Sequence, residues 1–393
     1  MDPQEAFDGS DDKSLFHPVR EWHVNRRGMA ALAALCVAAC SGEAPQPSPS
    51  VDSPGPWAPA SAHFTVEADG SGRALQVEAW YPAPASDIAV AEEGFPLEAF
   101  EEGERRAQLA AWVAQAPEAC TPRRAHSARN AEPADTGAPF PVLLLSHCTG
   151  GFRFGMHSVA ERLAGHGFVV LAPDHLGNTH FDDEAPLDDA FLAVRAADMV
   201  RVLDAALAPG APALPPGLRG RLDAARVGVL GHSFGAVTAG KVLELDARVR
   251  AGFLFAAPVD SPVLNSGGLS RIHRPLSWLL AKEDGSISST GNQFIRENVA
   301  AAPRPTWLVE LADAGHWSFT DIAGLGGAFT AGCGSSLRDP GGEPFTWLPN
   351  DTARAAAQRY AVAWARALLL EDAEAARQMD QAVPADVVRV WRR

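Results

Sequence analysis

Short apolar runs alternate along the chain with longer segments of helical periodicity. Val142–Leu145, Val227–Leu230 and Trp307–Leu311 have the length of buried strands and lead into turn residues. Leu187–Leu207 repeats apolar residues at helical spacing, at Leu192, Ala196, Met199 and Leu203. Ala353–Leu370 is expected to be the closing helix. Alternating strands and helices predict an α/β fold with a mostly parallel central sheet flanked by helices.

Two regions before this pattern complete the expected domain. His63–Ala68 and Leu75–Tyr81 alternate with period two around Gly70–Gly72, which predicts an N-terminal antiparallel hairpin at the edge of the sheet. Residues 90–138 are acidic and then polar, with a helix expected at Arg105–Ala114. We interpret residues 90–138 as an insertion near the mouth of the site.

The run Val227–Leu230 passes directly into Gly231-His232-Ser233-Phe234-Gly235 and then into a helix-forming segment. Gly-x-Ser-x-Gly between a strand and a helix is the pattern of a nucleophile elbow, in which small residues flank a serine on a strained turn. The serine hydroxyl then projects from the turn, and the N-terminus of the following helix points toward it. This arrangement suits acyl transfer through a serine ester.

Two other strands end in residues that such a serine requires. Val142–Leu145 leads into a loop, Ser146 to Gly151, that is expected to donate one backbone N–H to an oxyanion hole. The two expected donors are Thr149 and Phe234. Trp307–Leu311 leads to His316, which follows the serine in the chain, and a histidine suits a general base because its pKa lies near neutrality.

The carboxylate that orients His316 is open between two aspartates. Asp284 follows a strand that lies between the elbow and the histidine, and Asp260 follows the preceding strand in the same way. We favour Asp284, with Asp260 as the alternative and Glu283 third. The acid would hold the imidazole in the correct tautomer and stabilise its cation.

These residues resemble the α/β-hydrolase superfamily and, within it, the bacterial relatives of platelet-activating-factor acetylhydrolase and dienelactone hydrolase. The matching segments, within roughly residues 63–370, are Phe140–Gly151, His166–His175, Gly177–Thr179, Gly231–Gly235 and Gly315–Asp321. The resemblance implies an α/β-hydrolase fold and hydrolysis of carboxylic esters without a cofactor, often of short-chain, lipid-like or polymeric esters. Relatives typically carry Gly where this chain has Cys148, so we expect the Cys148 side chain to narrow the oxyanion site.

Ser233, Thr149, Asp284 and His316 all fall at the carboxyl ends of predicted strands, where open α/β sheets bind ligands. The neighbouring aromatic residues are expected to line an acyl pocket, namely Phe152, Phe154, Phe234 and Trp317.

Composition narrows the choice of partners. The 393-residue chain is 47% hydrophobic and carries a formal net charge of −15, which argues against nucleic acid because phosphate binding needs clustered Lys and Arg. Gly235–Val242 approaches the pattern of a phosphate-binding loop but ends in Val where Ser or Thr must bind Mg²⁺. The acidic run His180–Asp189 lacks the spacing of a calcium-binding loop. We therefore expect no nucleic acid, metal or cofactor.

The front of the chain carries a targeting pattern. Arg26–Cys40 has a basic start, a short apolar core and small residues before a cysteine, which is typical of a secretory signal. Val37–Cys40 resembles a bacterial lipobox, so Cys40 is the expected lipidation site of an exported, membrane-anchored or secreted protein. Residues 1–23 do not belong in a signal, and translation is expected to begin at Val24 or Met29.

Three segments follow from this interpretation. They are a misplaced upstream segment plus signal peptide at 1–39, a Pro/Ser-rich tether at 40–62 and the hydrolase domain at 63–393. The mature body would keep Cys120, Cys148 and Cys333, and an exported protein can pair two of them, for example Cys120 with Cys333.

The sequence thus predicts a serine esterase in which Ser233 attacks a carboxylic ester, His316 takes the proton and Asp284 orients His316. Two alternatives stay open: a non-catalytic lipoprotein that uses the same fold for binding and, among enzymes, a phospholipase A2-type or polyester hydrolase. The ordered serine, acid and histidine argue against a binding module, because a scaffold has no need of that set.

Overall fold

The computed structural model describes residues 48–393 except 71, 118–119, 121–123, 184–185, 263, 265–267, 330–332 and 339–340. The expected signal segment, the lipidation site Cys40 and residues 40–47 of the tether lie outside the described residues. The chain divides into two units, Met1–Ser48 and Pro49–Arg393, and all elements below belong to the second.

The strands of the described residues are β1 Ala58–Val66, β2 Leu75–Ala83, β3 Ala128–Arg129, β4 Phe140–Ser146, β5 Val169–Pro173, β6 Leu222–His232, β7 Val249–Phe255, β8 Leu276–Ala281, β9 Trp307–Leu311, β10 Ser335–Leu337, β11 Pro344–Thr346 and β12 Val388–Arg392. Among them, ten form one sheet in the order β12-β9-β8-β7-β6-β4-β5-β2-β1-β3, and β10 and β11 pair separately. Strands β4 to β9 are parallel to one another, whereas β2 and β12 join the sheet antiparallel.

The α-helices within the same residues are α1 Ile88–Glu93, α2 Gly103–Gln115, α3 His157–Gly165, α4 Asp189–Leu207, α5 Phe234–Leu245, α6 Ser288–Ala301, α7 Asn350–Leu369 and α8 Ala373–Met379. Helix α4 begins where expected, because the side chain of Asp188 accepts a hydrogen bond from the N–H of Phe191 and caps its first turn. In this part of the chain no helix has both the length and the apolar content needed to cross a membrane.

Hydrophobic side chains form a core on each face of the sheet. One core includes Leu143 and Leu230 with side chains from α3 and α7, and the other includes Leu144 and Val229 with side chains from α4 and α5. Neighbouring residues of β4 and β6 therefore bury opposite faces, which explains why these strands are apolar throughout rather than alternating.

Strand register brings the site-bearing loops together. Ser146 at the end of β4 lies opposite Gly231 near the end of β6, so the loop expected to supply an oxyanion donor adjoins the elbow. Ala281 of β8 lies opposite Leu311 of β9, so the segments that carry Asp284 and His316 leave the sheet side by side. Both pairs lie at the carboxyl edge of the parallel strands.

The structure confirms the hairpin and the helices expected at Arg105–Ala114 and Leu187–Leu207. Strands β1 and β2 pair antiparallel with Val66 opposite Leu75, and β3 extends the sheet beyond β1. None of the described residues of the insertion lines the cavity beside Ser233, and Trp112 of α2 packs instead against Phe152, His180 and Phe181.

Two boundaries differ from those expected. The folded body begins before residue 63, because β1 starts at Ala58, Val51 is fully buried and the N–H of Trp57 donates to the carbonyl of Gly165. Helix α7 does not close the fold, because α8 follows it and β12 then pairs with β9, with Val388 opposite Leu311. The alternating Val388-Arg-Val-Trp was the available sequence signal for this edge strand.

Candidate active site

Ser233 occupies a strained turn between β6 and α5. Its backbone has φ 57° and ψ −122°, a conformation that costs a non-glycine residue about 1–3 kcal/mol. Neighbouring backbone leaves no room for side chains on either side: a Cβ on Gly231 would lie 1.9 Å from the carbonyl oxygen of Gly235. A Cβ on Gly235 would lie 2.1 Å from that of Ser146. The two glycines are therefore required by packing, and the surrounding structure, including the hydrogen bond from the N–H of Ser233 to the carbonyl of Phe255, holds Ser233 in the strained conformation.

His316 and Asp284 form a buried pair. His316 Nδ1–H donates to Asp284 Oδ2 at 2.6 Å, and both side chains are almost fully buried. The proton on Nδ1 leaves Nε2 as an acceptor, which is the tautomer a general base needs. His232, the residue before Ser233, donates from Nε2 to the carbonyl oxygen of His316 at 3.0 Å, so the elbow and the histidine loop are joined directly.

The other two candidate acids are bound elsewhere. Asp260 is exposed, and its backbone N–H and carbonyl are both held by the side chain of Asn298. Glu283 pairs with Arg338. Of the three carboxylates, the structure brings only Asp284 to His316.

The loop expected to supply an oxyanion donor is held by its own histidine. His147 Nδ1–H donates to the carbonyl oxygen of Cys148 at 2.7 Å, and His147 Nε2 accepts from the N–H of His175 at 3.0 Å. The N–H of Gly151 also donates to the carbonyl of Cys148, at 3.2 Å. Burial lowers the pKa of His147 well below its usual value, with Arg195 acting in the same direction, so its ring is neutral.

Cys148 packs into the core of the protein. Its thiol is buried, and burial raises its pKa to about 12, so it is a neutral hydrophobic group rather than a nucleophile. A Cβ on Gly151 would lie 2.6 Å from its sulfur, which explains the glycine at that position. The side chain at position 148 is therefore part of the hydrophobic core and lies close to Gly151.

A cavity of about 330 Å³ opens beside Ser233. Its described lining comes from the elbow and α5, from the segment after β7, from the start of α6 and from the residue before the N-cap of α4. The lining residues are Leu187, Ser233, Phe234, Val237, Ala257, Pro258, Ser261, Leu264, Ser286, Ile287, Ser288, Thr290, Gly291 and Phe294. None of these residues carries a formal charge. The described lining is thus uncharged and largely apolar.

The aromatic residues expected to line an acyl pocket are placed differently, apart from Phe234. Phe152 and Phe154 are fully buried and stack on each other at 5.0 Å, so they belong to the core and not to the Ser233 cavity. Trp317 is also outside the lining, and its ring packs edge-on against that of His316 at 4.7 Å. These residues were expected in the pocket because they are close in sequence to the candidate site residues. That closeness does not fix where a loop side chain lies, because successive side chains of a loop point in different directions.

Within the described residues, no group of three or more His, Cys, Asp and Glu side chains is arranged to hold a metal ion. Asp182 of the acidic run instead accepts hydrogen bonds from the backbone of Gly177 and Thr179. The phosphate-loop-like segment Gly235–Val242 lies within α5, where Lys241 pairs with Glu244.

A sequence model described as "Dienelactone hydrolase family" matches residues 127–324, about half of the chain. The chain belongs to the dienelactone hydrolase family. A second model, "Platelet-activating factor acetylhydrolase, isoform II", matches residues 64–182 of this family member.

Curated relatives of this dienelactone hydrolase family member include two platelet-activating factor acetylhydrolases. That of Bos taurus is 27% identical over 184 residues, which are 37% of this chain and 40% of the relative. That of Cavia porcellus is 27% identical over 195 residues, 40% of this chain and 44% of the relative. The chain thus matches only about two fifths of the length of these relatives.

Among solved structures, a ferulic acid esterase from Streptomyces cinnamoneus superposes with a TM-score of 0.57 and 21% sequence identity, covering 80% of this chain and 91% of that chain. This likeness shows the fold. The expected resemblance and the α/β-hydrolase fold are confirmed at this level.

Several residues beside the candidate site were not predicted from the sequence, namely Ser146, His147, His175, Asn178 and Arg195. One signal was available for Arg195, which falls on the apolar stripe of α4 defined by Leu192, Ala196 and Met199. A cation on a buried stripe requires polar partners inside the protein.

Proposed function

We propose that this chain is a serine hydrolase that cleaves carboxylic esters through an acyl-serine intermediate. The observation that carries the proposal is the buried hydrogen bond from His316 Nδ1 to Asp284 Oδ2, on a loop bound to the strained elbow that carries Ser233. A binding scaffold of the same fold would need neither the strained serine nor the fixed tautomer.

In the proposed reaction, Ser233 Oγ attacks the ester carbonyl while His316 Nε2 takes its proton. Asp284 stabilises the imidazolium, and the N–H groups of Thr149 and Phe234 stabilise the negative oxygen of the tetrahedral intermediate. The imidazolium then returns the proton to the departing alcohol. Water, deprotonated by His316, releases the acid and restores Ser233.

We further propose that the cavity beside Ser233 binds an uncharged, apolar part of the ester, of short-chain or lipid-like character. The part of its lining that the structure describes has no charged side chain, and its volume of about 330 Å³ is near the lower end for small-molecule sites, about 300–1,000 Å³. Each added methylene that the cavity buries should raise kcat/KM roughly fourfold, since burying a methylene contributes about 0.8 kcal/mol.

The test is labelling of the full chain by a fluorophosphonate probe, with turnover of p-nitrophenyl acetate, butyrate and octanoate measured in parallel. Ser233→Ala should abolish labelling and lower kcat by several orders of magnitude, about 10⁶ in a comparable triad. Ser289→Ala, an exposed serine on α6, is the matched control and should retain both. A folded wild-type protein that is neither labelled nor active would instead support the binding-module alternative.

The same ester series tests the neutral cavity. An anionic ester such as p-nitrophenyl hemisuccinate should react at least about tenfold more slowly than the butyrate, because the carboxylate would lose its water without gaining a cation. Equal rates would contradict the proposed substrate class. Turnover of phospholipid or polyester particles by the same preparation would then assign the natural ester among the enzyme alternatives.

We also propose that the protein is exported and lipidated at Cys40. The lipobox-like Val37–Cys40 supports this, as does the Cys120–Cys333 disulfide, because such bonds persist in oxidising compartments. Mass spectrometry of the native N-terminus should find a mature chain that begins with a lipid-modified Cys40. A mature chain beginning at Met1 would contradict the proposal.

A further inference from the structure

Arg195 lies fully buried on α4, and within the described part of the chain its guanidinium donates hydrogen bonds only to neutral oxygens. The acceptors are Thr238 Oγ1 at 3.1 Å, Asn178 Oδ1 at 2.5 Å, Ser146 Oγ at 3.1 Å and the carbonyl oxygens of His147 and Cys148, the latter at 3.5 Å. A buried cation without a carboxylate acceptor is costly to the fold. Burial lowers the pKa of Arg195 to about 9, which still leaves it protonated at neutral pH.

These contacts hold one side of the proposed oxyanion site. The carbonyl of Cys148 and the N–H of Thr149 belong to one peptide group, whose planarity makes them point in opposite directions. Arg195, His147 and the N–H of Gly151 all donate to that carbonyl, so they fix the direction of the Thr149 N–H. A carbonyl that accepts such bonds also polarises its own peptide, which strengthens the N–H as a donor.

Arg195 also contacts the segment that carries Phe234, the second proposed oxyanion donor, through Thr238. Its Nε–H donates to Thr238 Oγ1, and the Thr238 hydroxyl donates to the carbonyl oxygen of Phe234 at 2.8 Å. The guanidinium also lies over the Phe234 ring, 4.7 Å from its centre. One side chain therefore contacts both segments that carry the proposed oxyanion donors.

A buried chain of polar groups keeps the guanidinium in place. Because Arg195 donates to Ser146 Oγ, the Ser146 hydroxyl donates in turn to His175 Nε2 at 2.9 Å, and His175 Nδ1–H donates to Asp198 Oδ2 at 3.1 Å. Burial and Arg195 lower the pKa of His175 well below its usual value, which agrees with this neutral tautomer.

We propose that Arg195 is a positioning residue that sets the geometry of the oxyanion site by holding the Cys148–Thr149 peptide and Phe234 at once. The proposal rests on the serine-hydrolase function above. It assigns Arg195 an effect on the tetrahedral intermediate and not on binding of the ground-state ester.

Arg195→Lys keeps the charge but cannot hold five acceptors, and Arg195→Met removes the charge. Both variants should lower kcat about tenfold to a hundredfold, as small misplacements of catalytic groups do, with KM changed by less than about threefold. Affinity for a trifluoromethyl ketone, which forms a negatively charged hemiketal with the serine, should fall in the same proportion as kcat/KM. Affinity for the matching methyl ketone should not change.

The matched control is Arg366→Lys, which alters a buried arginine of α7 that binds Asp372 and the carbonyl of Pro49. It should lower thermal stability while leaving kcat and trifluoromethyl ketone affinity per labelled site unchanged. If folded Arg195→Lys behaves like this control, Arg195 has only a structural role and the proposal is overturned.

Thr238→Val decides the question if the Arg195 variants do not fold, since it removes only the hydroxyl between Arg195 and Phe234. It should lower kcat and trifluoromethyl ketone affinity together, by about tenfold. Unchanged values would overturn the proposal. Fluorophosphonate labelling of the wild type separates the two hypotheses: without labelling the serine-hydrolase function fails, whereas labelling with insensitive Thr238 and Arg195 variants rejects the positioning role alone.

Discussion

Asp284 uses its two carboxylate oxygens for different partners. Oδ2 accepts from His316 Nδ1, while Oδ1 accepts from the backbone N–H groups of Ser286 at 2.9 Å and Ile287 at 3.0 Å. Ser286 and Ile287 also line the cavity beside Ser233. One carboxylate thus fixes both the orientation of the proposed base and the turn that forms part of the cavity wall.

Replacing Asp284 by Asn tests this arrangement. The amide oxygen can still accept from the turn, but the amide NH₂ would then face His316 Nδ1 and favour the tautomer with the proton on Nε2. That tautomer cannot take the proton of Ser233, so kcat should fall by about 10⁴ with little change in melting temperature. Stopped-flow measurement of p-nitrophenyl ester hydrolysis gives the comparison.

Asp260→Asn is the matched control, because Asp260 is exposed and its backbone is held by Asn298. Its kcat should equal that of the wild type. Small and equal losses in the two variants would mean that neither aspartate orients His316.

Gly235 tests the packing of the elbow. A Cβ there would meet the carbonyl oxygens of Ser146 and His147 at 2.1 and 2.6 Å, so Gly235→Ala must displace either α5 or the end of β4. We expect a loss of about 1–3 kcal/mol in the free energy of unfolding, measured by urea denaturation. Gly70→Ala is the control, since nothing lies within 4 Å of the added Cβ; equal stabilities would show that the elbow tolerates the side chain.

Secondary-structure elements were predictable where local pattern decides them. Strands β4, β6, β8 and β9 could be recognised from apolar runs that end in turn residues, and the positions of the candidate residues Ser233, Asp284 and His316 after those strands could be predicted with them. The burial of Phe152 and Phe154 in the core and the residues that line the cavity could not be predicted, because the direction of a loop side chain depends on tertiary packing. The edge strand β12 was also missed, since five residues carry a weak signal.

The disulfide couples two elements distant in sequence. Cys120 follows α2 and Cys333 precedes β10, with a Cα–Cα distance of 5.4 Å and a sequence separation of 213 residues. Closing a loop of that length contributes up to about 5 kcal/mol through the unfolded chain. Reducing agent should therefore lower the melting temperature of the wild type by several degrees.

A double variant, Cys120→Ala with Cys333→Ala, should melt at the temperature of the reduced wild type and be insensitive to reductant. Among the cysteines of the described residues only Cys148 then remains, and it is free and buried. A wild type whose melting temperature ignores reductant would show that the bond does not form.

Over the whole molecule, burial holds a set of histidines in the neutral form. It lowers the pKa of His147, His175 and His232 well below the usual value, and that of His166 to about 4. Buried carboxyls act in the opposite direction, because burial raises the pKa of Glu78 and Glu101, whose contribution to stability increases as pH falls. The change in the free energy of unfolding between neutral and acidic pH therefore combines contributions from these histidines and these carboxyls. Single variants are needed to measure the contribution of one residue.

His166 allows that separation because it is far from the proposed reaction. Its Nε2–H donates to the carbonyl of Ser53 at 2.9 Å and so holds the segment before β1 against the end of α3. As pH falls below about 6.5, the unfolded chain takes up a proton at this position while the folded protein stays neutral until about pH 4. The free energy of unfolding should therefore decrease by about 2 kcal/mol at pH 5 through this residue alone.

His166→Gln keeps a donor for Ser53 and removes the titration. Urea denaturation at pH 7 and pH 5 should give a smaller decrease in the free energy of unfolding for the variant than for the wild type, by about those 2 kcal/mol. His273→Gln changes an exposed histidine and should leave the decrease as it is in the wild type. If His166→Gln and the wild type lose the same free energy between the two pH values, the histidine is protonated in the folded protein and its contact with Ser53 survives the charge.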